Sequence, residues 1–300
     1  MPEKMNTFFW AQKIKNFLRV KNSQRIFKLY FHILFMGKSI GIISLKGGVG
    51  KTSTVVSLGD ALADFGQKVL LVDGNYSSPS IGFHLNIFDP EKTIKDVLLR
   101  NANLADSIYV FDNKFHILPA HLFDEIKVDP FSLRNKLKTV KNSYDIILID
   151  SSPKLDEETL GAMMASDELF VVTTPDYATL AATIKSVKEA RNRGMNIGGL
   201  ILNKVHGKNF ELTIKHIEDT ADVPVLAVIP YDINILKAQA NFVPFTSQNP
   251  KSEASIEYKK LAGTLIGKKY QPFSIHELFR KLTPNRQEVN RELYYKNIFN

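Results

Sequence analysis

Residues 45–53 read Leu45-Lys46-Gly47-Gly48-Val49-Gly50-Lys51-Thr52-Ser53, a run that sets three glycines and two lysines beside two hydroxyls. These residue types, so spaced, can hold a chain of phosphates. Glycine lets the backbone turn tightly and aim its N–H groups at an anion. The segment after Lys51 reads as a helix, and its N-terminal end adds a positive dipole. Lys51 is placed to reach the β- and γ-phosphates, and the Thr52 hydroxyl to ligate Mg²⁺. The ordinary phosphate-loop pattern, G-x-x-x-x-G-K-[ST], requires glycine at position 45, where this chain has Leu45. A glycine-rich turn with solvated lysines would account for the glycines alone. It would not account for seven fitted positions between a strand and a helix.

The elements that must position this loop are legible from Ser39 onward. Short apolar runs, Ile40–Ser44, Val69–Val72, His116–Leu118, Ile146–Ile149, Leu169–Thr173, Leu200–Asn203 and Val225–Ile229, read as strands buried on both faces. Between them lie helix-like segments at Lys51–Phe65, Thr93–Leu99, Asp129–Lys141, Leu155–Ala165, Tyr177–Arg193, Asn209–Thr220 and Ser252–Ile266. That alternation predicts an α/β fold, a doubly wound, mainly parallel sheet of about seven strands with helices on both faces, and the loop at 45–53 makes it resemble a P-loop NTPase. In such sheets ligands bind beyond the carboxyl ends of the strands.

The run Lys46-Gly-Gly-Val-Gly-Lys51-Thr52 resembles the deviant Walker A motif of the MinD/ParA family, and the chain is closest in appearance to the MinD-like members. The resemblance spans about residues 39–266. It implies ATP and Mg²⁺ as cofactors and an ATP-sandwiched homodimer in which Lys46 reaches the partner's nucleotide. Residues Lys46, Gly47, Gly48, Val49, Gly50, Lys51, Thr52 and Ser53 then form the phosphate loop. Val69-Leu-Leu-Val-Asp73 looks like the second strand ending in the switch I acid. Asp145-Ile-Ile-Leu-Ile-Asp150 looks like Walker B, so Thr52, Asp73 and Asp150 become the residues expected around the metal. Leu200-Ile-Leu-Asn203-Lys204 resembles the strand whose Asn meets the adenine, and Pro230 and Asp232 fall in the segment that closes over the base. One position departs. The family usually has a second Asp, which orients the attacking water, where this chain has Asn75. An amide can position water but takes no proton, and phosphoryl transfer relies on positioning and charge more than on a strong base. A slow ATPase is therefore expected, with Lys46, Lys51, Asp73 and Asn75 as its catalytic set.

Composition narrows the function further. The chain has no cysteine, which excludes disulfides, iron–sulfur ligation and thiol catalysis. The iron–sulfur carriers, reductases and amidotransferases among the family's relatives are thereby set aside. Tyr294 and Tyr295 alone match the C-terminal tyrosine cluster of the autokinases poorly. The net charge of +8 is unevenly spread. Residues 1–38 hold eight Lys/Arg against one Glu, and residues 268–300 hold seven against three Asp/Glu. The sequence therefore divides into a basic aromatic extension (1–38), a near-neutral ATPase domain (39–267) and a basic tail (268–300).

Both ends suggest a surface. In the tail, Ile275, Leu278, Phe279 and Leu282 fall at i, i+3, i+4 and i+7 beside Arg280 and Lys281, an amphipathic face. A helix docked on the core would show the same stripe. The extension interleaves Phe8, Phe9, Trp10, Phe17 and Phe27 with Lys13, Lys15, Arg19 and Arg25, as an interfacial segment does. Chains of this family begin much as Met36-Gly-Lys-Ser-Ile does, so the alternative for residues 1–35 is a start-codon artefact, with translation beginning at Met36. No run of about 18 uninterrupted apolar residues occurs, so no spanning helix is expected. The resulting expectation is a cytoplasmic, peripherally membrane-associated ATPase with an activating protein partner. Its alternatives are a ParA-like partner of non-specific DNA and a slowly hydrolysing, nucleotide-gated adaptor.

Overall fold

Apolar side chains on every position of a strand demand cover on both faces, and the chain supplies it. The computed structural model describes residues 37–121, 127–272 and 285–299. The N-terminal extension and the Ile275–Leu282 face lie outside them. Eight strands form one sheet: β1 Lys38–Ile43, β2 Val69–Gly74, β3 Tyr109–Phe111, β4 Phe115–Leu118, β5 Ile146–Ser151, β6 Glu168–Thr173, β7 Ile197–Val205 and β8 Val225–Pro230. Their order is β3-β4-β2-β5-β1-β6-β7-β8. Every pairing is parallel except β3 with β4. The fold class is the expected one, with β3 added. That strand is three residues long, only partly buried, and joined to β4 through Asp112, Asn113 and Lys114, the first two in the left-handed region (φ 47 and 52). A turn of that kind matches strand twist, but so short an edge strand leaves no apolar run to read.

The helices are α1 Lys51–Asp64, α2 Ile81–His84, α3 Ile94–Leu98, α4 Leu133–Lys138, α5 Glu157–Ala165, α6 Tyr177–Asn192, α7 Ile214–Ala221, α8 Asn234–Ala240, α9 Phe245–Gln248, α10 Glu253–Leu265 and α11 Arg286–Phe299. Strand residues alternate between two cores. Ile40, Ile42, Leu71 and Leu148 face α1 and α10, while Leu70, Val72, Ile147 and Ile149 face α3, α4 and α5. Ile43, Leu169 and Val171 pack beneath α6 and α7. Each of these leucines is fully buried, worth about 1.5–3 kcal/mol relative to exposure.

Two boundaries differ from expectation for local reasons. Helix α7 begins at Ile214 rather than Asn209, because the Thr213 side chain accepts the His216 N–H at 3.2 Å and fixes the cap there. The segment expected as Asp129–Lys141 opens with a 3₁₀ turn at Pro130–Ser132 before α4. Beyond position 268, where a tail was expected, residues 286–299 form α11, which packs on the core. Tyr294 and Arg291 are buried, and the Arg291 guanidinium donates to the Leu226 carbonyl of β8 at 2.9 Å.

Candidate nucleotide site

The loop between β1 and α1 has the backbone its glycines permit. Gly48 (φ 76) and Gly50 (φ 93) are both left-handed. A side chain at Gly50 would also collide with the Asn203 amide. The loop is braced from outside: Asn203 Nδ2 donates to the Val49 carbonyl at 2.8 Å and Lys204 Nζ to the Gly48 carbonyl at 2.7 Å. With those carbonyls tied back, the turn is held with Gly47, Gly48 and Gly50 lining the cavity beside it.

That cavity, about 450 Å³, lies beyond the carboxyl ends of the strands and is lined by Gly47, Gly48, Gly50, Lys51, Thr52 and Ser53 together with Asn75, Asn203, Pro230 and Asp232. The expected residues thus converge from the ends of β1, β2, β7 and β8. Four of the expected residues do not line it. Val49 turns into the core, and Lys46 is exposed outside its own cavity. Asp73 and Asp150 are fully buried, opposite each other in the β2–β5 register.

The two acids have different surroundings. Asp73 accepts N–H groups from Asn75 (3.2 Å), Ser80 (2.9 Å) and Ile81 (2.9 Å). Its oxygens are therefore committed to backbone, where the sequence had set them against the metal. Asp150 Oδ2 accepts the Thr52 hydroxyl at 2.5 Å, while Asp150 Oδ1 is buried with no hydrogen-bond partner. Burial drives both carboxyls upward; the Asp150 charge adds to the rise at Asp73, whereas Thr52 and Lys51 oppose it at Asp150. Burial lowers the Lys51 ammonium, with Asp150 acting against it. An unmatched buried carboxylate oxygen beside a hydroxyl is a donor set that fits a hard cation. The glycine turn and Lys51 likewise fit phosphate.

The other expected residues carry additional duties. Asn75 is nearly buried, its Nδ2 donates to the Ser78 carbonyl, and its Oδ1 has no partner. Asn203 lines the cavity, but its amide spans Val49 and the Lys204 N–H. Asp232 Oδ1 accepts from Asn234, fixing the entry to α8. Pro230, Tyr231, Ile235 and Leu236 give one wall an apolar character suited to a base. Sequence reasoning missed Ser80, whose Oγ lies 2.8 Å from Thr52 Oγ1. It also missed Lys204, and Gln239, which joins Ser53 (3.1 Å) to His84. Lys204 stood in the run that resembles the adenine strand but was given no role there, whereas Ser80 and Gln239 stand in no motif, and a serine-rich turn such as Ser77-Ser-Pro-Ser80 is ordinary in loops.

With this geometry in place, similarity to known proteins becomes decisive. A profile described as an AAA domain matches residues 37–197, more than half of the chain. The chain belongs to the MinD/ParA family of P-loop ATPases. A second profile, for NifH/frxC-type 4Fe-4S iron sulfur cluster binding proteins, matches residues 136–283, although this family member has no cysteine to ligate a cluster. An ATP-binding protein of Methanocaldococcus jannaschii is 32% identical over 80% of the chain and 91% of its own length. The sporulation initiation inhibitor protein Soj of Bacillus subtilis is 32% identical over 76% of the chain and 97% of its own. Among solved structures, the septum site-determining protein MinD of Pyrococcus horikoshii, complexed with Mg-ADP, is 35% identical with a TM-score of 0.73, covering 77% of this chain and 96% of that one.

Proposed function

We propose that this MinD/ParA-family chain binds Mg-ATP in the 450 Å³ cavity, dimerises around it, hydrolyses it slowly and cycles on an anionic membrane surface. The observation that carries this reading is the contrast between Lys51 and Lys46. Lys51 is buried in the cavity wall beside Thr52, where it would hold the phosphates. Thr52 and Asp150 would hold Mg²⁺, which supplies charge neutralisation on the phosphates. Lys46 stands exposed outside that cavity, so it is free to serve the nucleotide of a second copy.

Slow turnover follows from Asn75, which offers an unpartnered amide oxygen to a water but no carboxylate. A membrane is favoured by the Ile275–Leu282 spacing beside Arg280 and Lys281. One short amphipathic helix is a marginal anchor, and two copies in a dimer raise avidity by about 10²–10⁴. Membrane binding would then report nucleotide state, and an activating protein partner would set the cycle time. The test is flotation of the full chain and its Lys46→Ala variant with anionic liposomes, under ATP and under ADP, with a DNA mobility assay in parallel. The parent should float with ATP and the variant should not. ATP-dependent shifting of DNA of any sequence without flotation would replace the membrane by the chromosome.

A further inference from the structure

Three side-chain oxygens meet where α1, β5 and the segment after β2 converge. Thr52 Oγ1 lies 2.5 Å from Asp150 Oδ2 and 2.8 Å from Ser80 Oγ. Asp150 Oδ1 is buried there without a partner, and both Thr52 and Ser80 line the cavity. Magnesium demands a near-octahedral shell of oxygens at about 2.0–2.1 Å, which sets adjacent ligands roughly 2.9 Å apart. The Thr52–Ser80 separation matches that edge. Ser80 is also fixed in place, because its N–H and that of Ile81 donate to Asp73 Oδ2, each at 2.9 Å. The buried acid that the sequence assigned to the metal therefore holds the backbone that presents this hydroxyl.

We propose that Ser80 contributes its hydroxyl oxygen directly to the magnesium shell beside Thr52, with Asp73 as the residue that positions it. The inference rests on the Mg-nucleotide reading above and adds a ligand to it. Its consequence is mechanical: the metal grips the same turn that carries Asn75, whose backbone N–H shares Asp73 with Ser80. Metal occupancy would then bear on the turn that holds the Asn75 amide.

A Ser80 that only bonds to Thr52 would leave the metal dependence of nucleotide binding untouched when it is replaced. The chain has no cysteine, so Ser80→Cys introduces its single thiol, a soft ligand that selects Cd²⁺ over Mg²⁺. ADP affinity is measured by calorimetry for the full chain, Ser80→Ala and Ser80→Cys, each with Mg²⁺, Cd²⁺ or EDTA. The ultraviolet thiolate–Cd²⁺ band is recorded for Ser80→Cys. We expect the Mg²⁺-dependent gain in affinity to fall on the order of tenfold in both variants, the scale for loss of a contact around a metal. Cd²⁺ should restore the gain in Ser80→Cys but not in Ser80→Ala, and the thiolate band should require ADP. A full Mg²⁺ gain in Ser80→Ala would overturn the proposal, as would absence of the band while Ser80→Cys binds ADP with Cd²⁺. Failure of the underlying reading has a different signature: the parent itself shows no Mg²⁺ gain, which removes both.

Discussion

The two ends of the sheet both bury acids, and they resolve the problem in opposite ways. At the N-terminal ends of the strands, around α11, each buried acid is met by the protein itself. Glu168 accepts Tyr294 Oη and pairs with Lys38 at 2.8 Å. Glu218 accepts Arg286, Asn290 and the Val225 N–H. Glu257 pairs with Arg291 at 2.9 Å. At the C-terminal ends, Asp73 and Asp150 face each other, and Asp150 Oδ1 and Asn75 Oδ1 have no partner. A buried charge costs several kcal/mol unless it is paired. Pairing of the acids at one end therefore marks a structural lock, although Gln287 Oε1 of α11 is also buried without a partner, and the unmatched Asp150 oxygen at the other marks a place where a cation completes the molecule.

The contrast can be broken first at the lock. Arg291→Ala should destabilise the chain by about 3 kcal/mol, because Glu257 is then left buried with only Lys260 nearby. Urea unfolding measures the loss, and Mg-ATP affinity should be unchanged. A parallel loss of affinity would mean that the two ends are not independent.

The site end should also carry an acid sensitivity. Burial holds the His84 ring, which meets Gln239 over Ser53, down to about 4 from an ordinary 6.5. The unfolded chain takes up that proton first, so the stability from this group is fully present above pH 6.5. It declines as the pH falls toward about 4, for a total on the order of 2–3 kcal/mol. Asp73 and Asp150, raised by burial, titrate with the opposite sign over the same range, so the test is the difference between parent and His84→Gln. From pH 7 to 4 the parent should lose about 2–3 kcal/mol relative to the variant, and parallel profiles would remove His84 as a source.

The smallest expected stability effect is the sharpest contrast. Asp150→Asn relieves repulsion at Asp73 but removes the counter-charge of Lys51, and these act in opposite directions. Without metal its stability should lie within about 1 kcal/mol of the parent, while the Mg²⁺-dependent part of the stabilisation by ADP should disappear. A metal-free loss as large as that of Arg291→Ala would place Asp150 among the structural acids.

Legibility in the sequence divides along the same line. The phosphate loop and seven strands were readable because glycine spacing and double-sided apolar runs are local signals. Helix α11 was not, since Arg286-Gln-Glu-Val-Asn-Arg291 shows little apolar periodicity and its burial rests on ion pairs with α7 and α10. Asp73 was expected beside the metal, but its hold on Ser80 depends on a turn seven residues away. Strand β3 is too short and too exposed to leave a pattern.

The central claim is that the cavity holds Mg-ATP through the phosphate loop, and calorimetry of Mg-ATP with the parent and Lys51→Ala tests it most directly. Removing a charged hydrogen-bond donor from the phosphates should weaken binding by about 1.5–3 kcal/mol, roughly ten- to a hundredfold or more. Equal affinity in parent and variant would contradict the account.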